Sequence, residues 1–101
     1  MNNGRRVVIT GLGVISPVGN DVAAFWDSLT SGHCGIGPLT GVDLHGLPIH
    51  VAGSIKDFDP AAYGLSGADK RRNDLYSQYA LAAASQAMAS SGIISGENIG
   101  P

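Results

Sequence analysis

Apolar and polar positions alternate poorly at the start of the chain and periodically further on. Residues 5–10, Arg-Arg-Val-Val-Ile-Thr, contain a β-branched run with no polar interruption. A strand of that kind is expected to be buried on both faces, as in the middle of a parallel sheet. Gly11-Leu12-Gly13 and Ser16-Pro17-Val18-Gly19 then punctuate the chain as a turn. Val22, Phe25, Trp26 and Leu29 recur at helical spacing and stop at Gly32. Asn20 is the expected cap of this helix, with Asp21 in its first turn favoured by the helix dipole. Residues 32–48 hold five Gly and two Pro and read as a loop. Ile49–Ile55 reads as a second short strand, and Lys56–Pro60 as a turn. There Asp59 caps a short helical turn that begins at Pro60.

Ser66 and Asp69 stand three apart in the manner of a capping box, ahead of a long helix over residues 67–91. The front of that helix is basic, with Lys70, Arg71 and Arg72. Its body is rich in alanine (Ala80, Ala82, Ala83, Ala84, Ala87 and Ala89), so it can pack closely against neighbours. Gly92 supplies the stop. A strand buried on both faces needs paired backbone groups on both sides. One such strand and one further candidate are too few for a stable sheet. The pattern is that of a sheet layer and a helix layer belonging to a larger α/β fold.

Composition narrows the function classes. The chain has 101 residues, 6 basic and 8 acidic, for a net charge of -2. That balance argues against a surface-wide nucleic-acid footprint and leaves room for a local basic patch. Apolar residues make up 44%, which argues against global disorder. A single Cys rules out an intrachain disulfide and fits a reducing compartment. No stretch approaches the roughly 20 apolar residues that span a bilayer, and the apolar run after Arg6 is too short for a signal peptide. A soluble, cytoplasmic protein is expected.

Candidate chemistry is sparse. Gly11-Leu12-Gly13 after a strand invites a dinucleotide reading, but Ser16 and Pro17 follow and the helix begins only near Asp21. A pyrophosphate would miss the helix N-terminus, so a structural turn is the better reading. His33 and Cys34 are adjacent and point apart, which is no Cys–His dyad. His33, His45 and His50 have no ligand-spaced partners, so no metal site is expected. Asp59 and Asp69 read as caps, and Asp57 and Asp74 as solvated or Arg-paired. Lys70-Arg71-Arg72 reads either as a solvated helix face or as a docking patch for an acidic partner.

Longer strings narrow the choice. Residues 5–20, Arg-Arg-Val-Val-Ile-Thr-Gly-Leu-Gly-Val-Ile-Ser-Pro-Val-Gly-Asn, closely resemble the opening of elongating beta-ketoacyl-acyl-carrier-protein synthases of the synthase II type. The likeness continues at Phe25–Leu29, Ser31–Ile36 and Ala52–Pro60, then at Arg71–Asp74 and Gln78–Ala80 and along the alanine-rich helix to Gly92. The resemblance implies an α/β fold, the N-terminal part of a thiolase-like layered αβαβα architecture whose first half is incomplete here. Residues 1–101 would be a truncated N-terminal portion of the synthase N-terminal domain.

In that family a Cys thiolate takes the acyl group and two His assist decarboxylation of malonyl-carrier protein. The resemblance places all three beyond residue 101, so no catalytic residue is expected in this chain and the chain alone should be inactive. It implies no cofactor and no metal, an acidic acyl carrier protein as partner, and a homodimer at full length. No nucleic acid or membrane partner is implied. Arg71 and Arg72 match the family's carrier-docking positions, with Lys70 beside them, which favours docking over a solvated face. Asn73 departs from the Met common there. A polyketide-type ketosynthase, its non-catalytic partner subunit and a non-enzymatic carrier-binding fragment are the alternatives.

Overall fold

A computed structural model describes residues 4–41, 43–94, 96 and 97. In chain order it has helix α1 (Val22–Ser31), strands β1 (Ile36–Pro38) and β2 (Val51–Gly53), a 3₁₀ turn (Pro60–Tyr63), and helices α2 (Gly67–Arg72) and α3 (Leu75–Ser91).

The cap of α1 is Asp21 rather than Asn20. Asp21 is extended, and its carboxylate accepts the Ala24 N–H at 2.7 Å. Asn20 is occupied elsewhere: its side-chain amide donates to Lys56 O at 2.7 Å. Gly32 ends the helix at φ 77°, a left-handed conformation that a residue with a Cβ rarely adopts. The expected loop 32–48 contains β1, which pairs antiparallel with β2 in the register Ile36↔Gly53, Gly37↔Ala52 and Pro38↔Val51. β2 lies within the expected strand Ile49–Ile55, whereas β1, Ile-Gly-Pro, carries too little β-propensity to be seen in the sequence.

The turn at Pro60 is capped as expected, with Asp59 accepting the Ala61 N–H at 3.1 Å. Phe58 stacks on Tyr63 at 5.7 Å and meets Tyr79 edge-on at 4.8 Å. These rings pin the turn to α3. Ser66 and Asp69 form the expected capping box on α2. The expected helix over 67–91 is two helices, broken at Asn73 (φ −124°, ψ 138°) and Asp74. Gly92, at φ 72°, closes α3.

Gly11 and Gly13 have a role other than a tight turn, since neither has positive φ. Their backbones lie directly on α3. A Cβ on Gly11 would overlap Ala87 O and stand 2.7 Å from Ser91 N; one on Gly13 would overlap Ala83 O and stand 2.9 Å from Ala87 N. The alanine-rich helix and the glycine pair are thus two sides of one close contact. Gln86 locks it. Its Oε1 accepts the Val14 N–H at 3.1 Å, and its Nε2 donates to Val14 O at 3.2 Å and to Asn20 O at 2.6 Å.

The N-terminal run does not become a buried strand. Residues 5–10 have no regular secondary structure, and Val7 is 95% exposed. No strand among the described residues lies beside them to pair their backbone. Leu65 and Ala82 are the buried apolar residues of the described part. The radius of gyration is 17.7 Å, against about 13 Å for a compact chain of this length.

Candidate docking site

The basic cluster sits on a corner whose backbone is tightly held. Ser66 Oγ accepts the Asp69 N–H at 3.1 Å, and Asp69 Oδ2 accepts the Ser66 N–H at 2.8 Å. Hydrogen bonds from the Ser66 backbone and hydroxyl, helped by the charge of Arg72, hold the Asp69 carboxyl below its ordinary pKa of 3.8. The carboxylate sits in the first turn of α2, and Lys70, Arg71 and Arg72 in its last, an order the helix dipole favours at both ends.

Beyond Arg72, side chains cap the carbonyls left free as α2 ends. Asn73 Nδ2 donates to Asp69 O at 2.8 Å. Gln78, 7% exposed, donates from Nε2 to Asn73 O at 2.9 Å and to Lys70 O at 3.4 Å. One buried amide on α3 therefore fixes the end of α2. Asn73, the departure from the resembled pattern, supplies a hydrogen bond that a Met could not.

Lys70, Arg71 and Arg72 are all exposed, and their side chains make no ion pair or hydrogen bond among the described residues. The structure thus brings the three expected docking residues together on one turn, with the Arg72 charge also acting on Asp69. Gln78 and Gln86, which position this turn and the N-terminal segment, carry no signal in hydrophobic periodicity. Their only mark is a polar amide on the packed side of an alanine-rich helix.

A second polar feature is a cleft of about 250 Å³ between the Ser16–Asn20 turn and His33, Lys56 and Asp57. Lys56 Nζ, on its lining, donates to Ser54 O at 3.1 Å, Pro17 O at 3.2 Å and Gly35 O at 3.5 Å. Lys56 is therefore a brace between the turn and the hairpin. Cys34 and His33 are both exposed, and the Cys34 thiol contacts Ile36 O at 3.8 Å. Among the described residues no three His, Cys, Asp or Glu side chains are grouped to hold a metal ion. No helix of the described residues is long and apolar enough to cross a membrane.

The architecture is that of a ketosynthase. The chain superposes on the solved ishigamide ketosynthase/chain length factor with a TM-score of 0.80 at 34% identity, covering 89% of this chain and 22% of that one. Residues 4–100 match the family described as Beta-ketoacyl synthase, N-terminal domain, and the chain belongs to that family. A Coxiella burnetii 3-oxoacyl-[acyl-carrier-protein] synthase 2 is 42% identical over 96% of this chain. A Streptomyces cyaneus protein assigned as a polyketide beta-ketoacyl synthase is 46% identical over 88% of it. The chain spans 23% of the first relative's length and 21% of the second's. The fold is accordingly α/β, part of a thiolase-like layered architecture.

Proposed function

We propose that this chain works as part of a condensing enzyme of fatty acid synthesis. The enzyme would join malonyl-carrier protein to an acyl thioester by decarboxylative Claisen condensation. The family match over residues 4–100 supports the reaction class. In this reading residues 1–101 are a portion of the synthase N-terminal domain, and the nucleophilic Cys and two His lie outside them. A thiolate accepts the acyl group from its carrier. Loss of carbon dioxide from the malonyl thioester leaves a carbanion, which attacks the acyl carbon and expels the thiolate. The electron pair of the broken carbon–carbon bond forms the new one, so no redox cofactor takes part.

The contribution of these residues is docking. Lys70, Arg71 and Arg72 meet an acidic acyl carrier protein, in a cytoplasmic homodimer at full length. The observation that carries this reading is three consecutive exposed cations on a turn held by Asn73 and Gln78. A turn whose backbone is already ordered costs less to bind than a mobile one, and its cations raise the capture rate of an anionic partner. The Streptomyces relative favours a second reading, a polyketide-type ketosynthase or its non-catalytic partner subunit, in which the same turn would meet a polyketide carrier.

Titration of the chain with apo acyl carrier protein at several salt concentrations tests the docking role. Affinity is expected to fall as salt rises, and Arg71→Glu/Arg72→Glu to reduce it sharply. Equal affinity with and without that double substitution would reject the assignment. The chain alone is expected to form no product from malonyl- and acyl-carrier protein, and product formation would overturn the placement of the catalytic residues.

A further inference from the structure

We propose that the docking surface has an apolar half: Tyr76, with Leu75 beside it, receives an apolar side chain of the same acidic carrier helix whose carboxylates meet Lys70, Arg71 and Arg72. The proposal rests on the docking reading above and extends it from charge to shape.

The chain has three tyrosines, and two are committed to packing. Tyr63 stacks on Phe58 and donates its hydroxyl to Asn20 O at 3.2 Å; Tyr79 meets Phe58 edge-on. Tyr76 has no ring contact or hydrogen bond among the described residues and is 74% exposed. Leu75, the first residue of α3, is 58% exposed. Only Asn73 and Asp74 separate this pair from Arg72, and the extended Asn73 turns the chain between them.

Both sides of the corner are held by one residue. Gln78 sits two residues past Tyr76 on α3 and bonds the Lys70 and Asn73 carbonyls. The backbone that carries the cations and the ring is thereby held in one arrangement, which lowers the ordering cost of binding.

Charge alone does not complete such a surface. Exposed cations steer an acidic partner and are screened by salt, whereas dwell time comes from a desolvated anchor, most often Tyr, Trp or Arg. Tyr brings a large contact area with few rotamers to freeze. Charge complementarity names the occupant: three cations (half of the chain's six) call for a helix with carboxylates. The uncharged ring next to them calls for an apolar residue one helical turn along that helix.

The experiment measures binding of apo acyl carrier protein by the full chain at low and high salt. Tyr76→Ser is expected to weaken binding about tenfold, the usual cost of truncating an aromatic anchor, by the same factor at both salt concentrations. Tyr76→Phe is expected to bind as the unsubstituted chain does. Unchanged circular dichroism and melting of Tyr76→Ser separate a surface effect from unfolding. Arg71→Ala/Arg72→Ala is expected to flatten the salt dependence. If the Arg variant behaves so while Tyr76→Ser binds normally, the apolar half is wrong and docking stands. If neither substitution changes binding, or the unsubstituted chain does not bind, docking fails and this proposal with it.

Discussion

Replacing Gly13 by Ala tests the contact on which the described fold turns. The added methyl would overlap Ala83 O and stand 2.9 Å from both Ala83 C and Ala87 N. All three are helix backbone atoms, held by the α3 hydrogen bonds, so the N-terminal segment must lift away. Lifting it stretches the two Val14–Gln86 hydrogen bonds, at 3.1 and 3.2 Å, beyond useful length. Overpacking costs about 1–3 kcal/mol and each lost hydrogen bond about 1 kcal/mol, so the segment should lose about 3–5 kcal/mol of local stability.

Amide exchange at Val14 reads this directly. Its rate in Gly13→Ala should rise at least about 100-fold, since each 1.4 kcal/mol is tenfold. Gly37→Ala is the control, because nothing lies within 4 Å of a Cβ there and its φ is not positive. Ala83→Gly should not rescue Gly13→Ala, because the clash is with main chain. Unchanged Val14 exchange in Gly13→Ala, or rescue by Ala83→Gly, would refute the close-contact account.

Three further outcomes follow from the geometry. Gln78→Leu leaves the part-buried Asn73 O without its donor and should cost about 1 kcal/mol or more in urea unfolding; a smaller loss than an exposed Gln→Leu change would contradict its role as brace. Lys56→Met removes a charged donor from three carbonyls and should cost about 1–2 kcal/mol while loosening the Ser16–Asn20 turn in amide exchange. The Asp69 carboxyl is held below 3.8, so its capping contribution is complete above that pH and is lost as pH falls through the lower folded value. Circular dichroism should show an acid loss of α2 helicity that is absent from Asp69→Asn, which has no carboxylate to protonate there, and an identical acid profile in the variant would remove the carboxylate from the account.

The elements legible in advance were those written in local chemistry. Asp59 and Pro60, Ser66 and Asp69, Gly32 and Gly92 each satisfy or end a helix within a few residues, so their spacing in the chain carries the geometry. The basic turn was legible for the same reason, three consecutive charges needing no partner to be seen. The break at Asn73 was not legible, because helical spacing continues across it. What decides the break is a donor five residues further on, Gln78, folding back onto the carbonyls of α2.

Long-range effects divide the same way. Composition and spacing determined that the chain is α/β, that a glycine pair follows an apolar run, and that an alanine-rich helix lies later. Only the tertiary structure decided that the pair and the helix are one contact, with Gln86 reaching across 72 residues to Val14. It also decided that Asn20 bridges rather than caps, and that Val7–Ile9, strand-like in pattern, stands exposed among the described residues. The physical reason is common to all of these. A cap is closed by atoms a turn away, whereas close packing and sheet pairing depend on which distant backbone arrives alongside, and that is set by the assembled layers.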